Sequence, residues 1–295
     1  MNPQPFVRPR RILATCLSLC GALLLTACAT QHPPAVTAPA RPALPLRTPV
    51  ATAYSAIVVD ANSGRQIYAV ADKQTRFPAS LAKMMTLYLV FEALDSGRIS
   101  KSTRIPISAR AAAQPPTKLY LKPGDTIDVD TAIRALVVKS ANDVATAVAE
   151  HLGGSEGSFS AHMTARAWTL GMTDTAFTNA SGLPDPGMRT TARDMATLGM
   201  ALKRDFPNEF GYFSLRRFER NGHTVEGHNR ALDMIAGADG IKTGFTRAAG
   251  FNLATSVRRD GRALVAVVMG AESARRRDEF MRDLIAASLP KAERR

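Results

Sequence analysis

Apolar positions along this chain change their spacing twice, and the changes divide it into parts. From Tyr54 to Asp60, and again up to Val70, short apolar stretches flank Asn62-Ser63-Gly64, which predicts two strands joined by a turn. The middle reads differently. Segments 80–96, 131–139, 142–152, 156–170 and 191–204 are rich in good helix formers with helical character, and each predicts a helix. Strand character then returns: Phe251 to Arg259 and Arg262 to Met269 flank Asp260-Gly261, a strong signal for a tight hairpin, and a last helix follows near 272–288. Terminal strands and a terminal helix that enclose a helical middle predict an α+β fold: an antiparallel sheet packed by helices, a helical subdomain, and a cleft between them.

The first fifty residues carry a different pattern. Arg8, Arg10 and Arg11 precede an apolar run from Ile12 to Leu25, which ends in Leu25-Thr26-Ala27-Cys28. The run is short for a membrane-spanning helix and reads as an export signal over residues 1–27. Its last four residues resemble a lipobox, cut before a cysteine that receives the lipid, so Cys28 is the expected lipidation site; cleavage of a plain signal at a small residue is the alternative. Ala29 offers no aspartate for retention at the inner membrane, so the expected address is periplasmic, lipid-anchored to the outer membrane. Residues 28–50 include Pro33, Pro34, Pro39, Pro42, Pro45 and Pro49 and form an extended linker. That leaves 51–290 as one catalytic domain, with no second C-terminal β domain expected.

Composition narrows the partners. Of the three cysteines, Cys16 and Cys20 leave with the signal, so the mature protein relies on its core rather than on a disulfide. Net charge is +13, and +10 once Arg8, Arg10 and Arg11 are removed. Export and the lack of an aromatic-interleaved basic motif argue against nucleic acid. Anionic envelope polymers, or a solvated basic surface, are the readings left. His32, His151, His162, His223 and His228 show no ligand spacing, so neither a metal nor a cofactor is expected.

Three short motifs carry the chemistry: Ser80-Leu81-Ala82-Lys83, Ser140-Ala141-Asn142 and Lys242-Thr243-Gly244. Each is weak alone. Ser288-Leu289-Pro290-Lys291 repeats the first pattern, but lies in the charged tail with no partner motif after it. Ser80 and Ser140 each sit before a helical run and also read as ordinary caps. Lys83 shifts that balance, because it shares nearly one helix face with Ser80 while Met84, Leu87, Tyr88 and Phe91 are buried positions. A serine hydroxyl needs a base, and a lysine serves only when its pKa is lowered. Burial, the positive end of the helix and the second cation Lys242 would each lower it. Lys83 is therefore the candidate general base.

The ordered set S-x-x-K, S-x-N, K-T-G resembles the signature of penicillin-binding proteins and serine β-lactamases. Phe77 to Thr86, Leu121-Lys122-Pro123-Gly124, Thr191 to Ala196 and Asp239 to Thr246 narrow it to the D-alanyl-D-alanine carboxypeptidases, over about Tyr54 to Ala287. The resemblance implies a penicillin-binding-protein/serine β-lactamase-like fold. It implies removal of the terminal D-Ala of peptidoglycan stem pentapeptides through acyl-Ser80, with β-lactam antibiotics as inhibitors. Ser140 would relay a proton to the leaving amine, and Asn142 would hold the peptide and orient Lys83. Lys242 and Thr243 would face the terminal carboxylate, Gly244 would let substrate lie close, and the N–H groups of Ser80 and Phe245 would form the oxyanion hole. Arg277 falls where relatives place an arginine for that carboxylate; solvated surface is the alternative, since Arg275 and Arg276 adjoin it. A D,D-endopeptidase cutting cross-links is the rival activity. A Glu-assisted β-lactamase fits poorly, because no Glu lies between Glu156 and Glu209.

Overall fold

The fold is drawn from a computed structural model that describes residues 54–295. The signal, Cys28 and the linker lie outside the described residues. The chain starts with β1 (Ser55–Asp60) and β2 (Gln66–Val70), turns through a 3-10 segment at Ala79–Ala82, and enters α1 (Lys83–Asp95). The helical part follows, with β3 (Arg104–Pro106), α2 (Ala109–Ala112), β4 (Thr126–Asp128), α3 (Val129–Arg134), α4 (Asn142–Gly153), α5 (Glu156–Thr169) and α6 (Ala192–Asp205). The chain closes with β5 (Arg217–Arg220), β6 (His223–Glu226), α7 (Ala231–Met234), β7 (Ala238–Thr246), β8 (Gly250–Arg259), β9 (Arg262–Ala271) and α8 (Ala274–Ser288).

Five strands make one antiparallel sheet in the order β2-β1-β9-β8-β7, so β7 is an edge strand. Both faces are covered, which is why its central strands read as nearly continuous apolar runs rather than clean alternations. Ile57, Val265, Val267 and Met269 join the large core with α1, α4 and α6, while Ala56, Val58, Leu264, Ala266 and Val268 pack against Met281, Leu284 and Ile285 of α8. The predicted hairpins and long helices are present.

Three details differ from the sequence reading. The helix expected over 131–139 is interrupted: α3 ends at Arg134, and a π-turn over Ala135–Lys139 runs into Ser140, which is left-handed at φ 60°. Two small two-stranded sheets, β3–β4 and β5–β6, form where the sequence reading placed no strands. Ser288 of the decoy tetrad ends α8 on the far sheet face, where Leu289 packs against that core. Among the described residues, no helix is long and apolar enough to cross a membrane.

Candidate active site

Ser80 sits in the 3-10 turn that feeds α1, after Ala79 at φ 48°. No side chain caps that turn, so Ser80 is not the N-cap its position suggested. Two interactions hold the turn against the sheet. Asn252 of β8 donates to the carbonyls of Phe77 and Pro78, at 3.0 Å each, and its own oxygen accepts from Gly270 N–H. On β7, a Cβ at Gly244 would lie 3.0 Å from Ser80 N and 3.2 Å from Leu81 N. Gly244 therefore serves the close approach of the Ser80 turn to β7, and it also lines the cleft.

Lys83 is fully buried. Its Nζ lies 2.8 Å from Asn142 Oδ1, 2.6 Å from the Ser181 carbonyl and 3.3 Å from Ser80 Oγ. Two of these three neighbours are oxygens that can only accept. A neutral amine has two N–H groups and one lone pair, so the two carbonyl oxygens occupy the N–H groups and leave the lone pair for the Ser80 hydroxyl. Burial pushes the Lys83 pKa well below the usual lysine value; Lys242 lowers it further and Asp143 opposes the change. Burial and the two accepting oxygens thus both favour the neutral, proton-accepting form.

The second motif is not a cap either. Ala141, not Ser140, occupies the N-cap position of α4 and makes no side-chain bond. Ser140 lines the cleft with a buried Oγ that has no hydrogen-bond partner. A non-glycine residue at positive φ with an unused hydroxyl is an arrangement kept for function rather than for stability. Asn142 divides its amide, accepting from Lys83 and donating 2.9 Å to the Pro115 carbonyl. Asp143 fixes the facing segment, because its carboxylate accepts from the N–H groups of Leu119 and Leu121.

The third motif lies along edge strand β7. Thr243, Gly244 and Phe245 line the cleft, and Phe245, 53% exposed, stacks on Phe251 at 4.2 Å between ring centroids. Lys242 is buried and donates to its neighbour's carbonyl, Thr243 O, at 3.1 Å. Burial, then the nearby Arg277, bring its pKa down to about 7. Arg277 is no surface residue. It is 4% exposed, lines the cleft, and is braced by Asp278 at 2.6 Å and by Asn252 O at 3.3 Å, whereas Arg275 and Arg276 are exposed.

The cleft encloses about 450 Å³ and brings together Ser80, Ser140, Asn142, Thr243, Gly244, Phe245 and Arg277, with Lys83 and Lys242 buried beside it. Sequence reasoning missed Thr117, Ser181 and His228, which also line it. Asn179 shapes the loop that carries Ser181: its Oδ1 accepts from the N–H groups of Ser181, Gly182 and Leu183 at 2.8–3.2 Å. Nothing in the sequence of that loop announces that one of its main-chain oxygens holds the lysine. Among the described residues, no Asp or Glu lines the cleft. Glu156 is occupied elsewhere, paired with Arg110 at 2.8 Å and accepting from Ala180 N–H and Thr146.

Sheet, helical part and cleft together define the penicillin-binding-protein fold. The chain belongs to the D-alanyl-D-alanine carboxypeptidase family, whose profile matches residues 43–273. It is 36% identical over 244 residues to D-alanyl-D-alanine carboxypeptidase DacD of Salmonella typhimurium, covering 80% of this chain and 63% of that protein. Penicillin binding protein 6B from Escherichia coli superposes with a TM-score of 0.74 at 36% identity, covering 79% of this chain and 75% of that one. Penicillin-Binding Protein D2 from Listeria monocytogenes, solved in an ampicillin-bound form, gives a TM-score of 0.73 at 29% identity, covering 79% of this chain and 96% of that one. The chain thus spans a little under two thirds of the length of the curated DacD relative.

Proposed function

We propose that the protein is a serine-type D-alanyl-D-alanine carboxypeptidase that removes the terminal D-Ala of peptidoglycan stem pentapeptides and is acylated by β-lactams. The observation that carries this reading is the buried Lys83 amine, 3.3 Å from Ser80 Oγ, with two carbonyl oxygens on its other side. Ser80 Oγ attacks the carbonyl carbon of the penultimate D-Ala while Lys83 takes its proton. Negative charge gathers on the carbonyl oxygen between the N–H groups of Ser80 and Phe245. Ser140 passes a proton from Lys83 to the departing nitrogen, the C–N bond breaks, and free D-Ala leaves. Water then attacks acyl-Ser80, with the same lysine as base, and restores the hydroxyl. Thr243, Lys242 and Arg277 hold the terminal carboxylate, a role that suits an arginine braced by Asp278.

The same reading extends to the cell. Residues 1–27 act as a lipoprotein signal, Cys28 carries the lipid, residues 28–50 form a tether, and residues 51–290 are the catalytic domain, working in the periplasm from the outer membrane. The supporting features are Leu25-Thr26-Ala27-Cys28 after a short apolar run and the prolines that follow. One experiment tests the chemistry: purified protein is incubated with labelled penicillin and, separately, with pentapeptide. A stable adduct on Ser80 and release of one D-Ala per peptide are expected, and both disappear in Ser80→Ala. Full labelling in that variant, or an adduct on Ser288, overturns the assignment.

A further inference from the structure

Phe245 enters the reaction through its main-chain N–H, which leaves its side chain without a task. Five large apolar side chains are exposed among the described residues, and Phe245 is the one of them that lines the cleft. Its ring rests on Phe251, the residue opposite it on β8, with centroids 4.2 Å apart and planes inclined by 29°. Phe251 lines the cleft as well. A cross-strand aromatic pair steadies a sheet edge, yet Phe245 stays 53% exposed and so presents apolar surface at the cleft wall. Strand alternation decides which end of the cleft the ring serves. A side chain at Gly244 would meet the Ser80 turn, so Thr243 and Phe245 project from the opposite face of β7. Thr243 pairs with Leu253, which belongs to the core against α8, so that face is the α8 side. Arg277 of α8 donates to the carbonyl of Asn252, the residue after Phe251, and lines the cleft with Ala274. The ring pair therefore shares its side of the cleft with Thr243 and Arg277.

We infer that Phe245, seated on Phe251, is a specificity-determining side chain for the leaving group: an apolar ledge that packs against hydrocarbon carried beside the anionic group. The inference rests on the carboxypeptidase reading, which lays the carboxylate at Thr243 and Arg277 and the reacting carbonyl at the Phe245 N–H. The carbon that bears the carboxylate then lies between those points, beside the ring pair. In a stem peptide that carbon carries the methyl of the terminal D-Ala. In a penicillin it belongs to a five-membered ring, next to a carbon with two methyls. Covering one such carbon is worth about fourfold in binding, and covering the two ring methyls about tenfold. The ledge therefore selects D-Ala over Gly at the end of a peptide. It also selects penicillins over monobactams, whose sulfonate sits directly on the lactam nitrogen with no carbon ring beside it.

The test measures kcat/KM for stem peptides ending in D-Ala or Gly, and acylation rates for a penicillin and a monobactam that carry the same acyl side chain. Wild type is compared with Phe245→Ser, Phe245→Thr and Phe245→Leu. In Phe245→Ser the ratio of D-Ala to Gly release is expected to fall about fourfold, and the ratio of penicillin to monobactam acylation about tenfold. Phe245→Thr, a better strand former, should shift both ratios the same way, which keeps the test decisive if the serine variant folds poorly. Phe245→Leu keeps an apolar ledge, so both ratios should stay within about twofold of wild type. Ratios carry the result because any disturbance of the strand that supplies the oxyanion-hole N–H slows every ligand alike. Unchanged ratios in Phe245→Ser and Phe245→Thr, with an equal loss on all four ligands or none, overturn the ledge. Absence of both D-Ala release and penicillin labelling in wild type instead overturns the carboxypeptidase reading, and the ledge with it.

Discussion

Lys242→Met isolates the energetic consequence of burying two lysines in one site without an acid to pair them. Lys242 is 2% exposed, and its pKa falls from 10.5 to about 7 through burial first and Arg277 second. In the unfolded chain the same amine titrates near its ordinary value. Between pH 7 and about 10.5 the unfolded state therefore binds more protons at this position than the folded state, so stability contributed here rises with pH. At about 1.4 kcal/mol per unit, the depression from 10.5 to about 7 amounts to about 5 kcal/mol, an order-of-magnitude figure. Most of it is recovered by pH 9.5. Methionine has nearly the same length and no charge, so the variant lacks this dependence. Urea unfolding of both proteins at pH 6 and pH 9.5 gives the measurement: the variant should gain on wild type at pH 6 by a few kcal/mol more than at pH 9.5. A second readout follows from Lys83, whose pKa Lys242 also lowers. Without Lys242 the base holds its proton to higher pH, so the acid limb of penicillin acylation should move upward. A stability difference that is the same at both pH values within about 0.5 kcal/mol would refute the argument, because it would mean that the buried amine is solvated or paired.

Three further changes test other joints of the site. Gly244→Ala adds a Cβ 3.0 Å from Ser80 N, so the nucleophile's turn must shift by a few tenths of an ångström; acylation should slow at least tenfold with a loss of about 1–3 kcal/mol by urea unfolding. Asp143→Asn weakens charge-assisted bonds to Leu119 and Leu121 and removes the acid that raises the Lys83 pKa. That variant should lose about 1.5–3 kcal/mol, and its acid limb should move to lower pH, which pH–rate profiles would reveal. Glu156→Gln should leave the lifetime of the penicillin adduct unchanged, measured by release of label, because its carboxylate ties Arg110 to Ala180 and lies outside the cleft; a much longer-lived adduct would identify it as a deacylation base.

What the sequence disclosed and what it withheld follow from the range of the interactions. The large hairpin around Asp260-Gly261 and the helices from Lys83 onward are written in local periodicity, and the three motifs are contiguous, so both were legible. Asn221-Gly222 carried a hairpin signal of the same kind for β5–β6, but the flanking Arg217–Arg220 and His223–Glu226 are largely exposed and polar, and no alternation drew attention to them. The site residues that escaped are those whose role depends on a partner distant in the chain. Ser181 reaches Lys83 through its main-chain carbonyl, 98 residues away, so its side-chain identity carries no trace of that duty. Asn252 holds Phe77 and Pro78 from a position that reads as one more polar residue of a strand. Arg277, by contrast, was singled out, but only through the family resemblance, because its local sequence is like that of its two neighbours and it is the packing of α8 on the sheet that turns one arginine of the three inward to Asp278 and the cleft. In this fold the sequence names the atoms that react, while the groups that set their pKa and hold their geometry are assigned by tertiary packing. That division explains why Gly244 is recognisable as part of a motif while its role is not. Its missing side chain makes room for the Ser80 turn, a contact that exists only once β7 meets that turn.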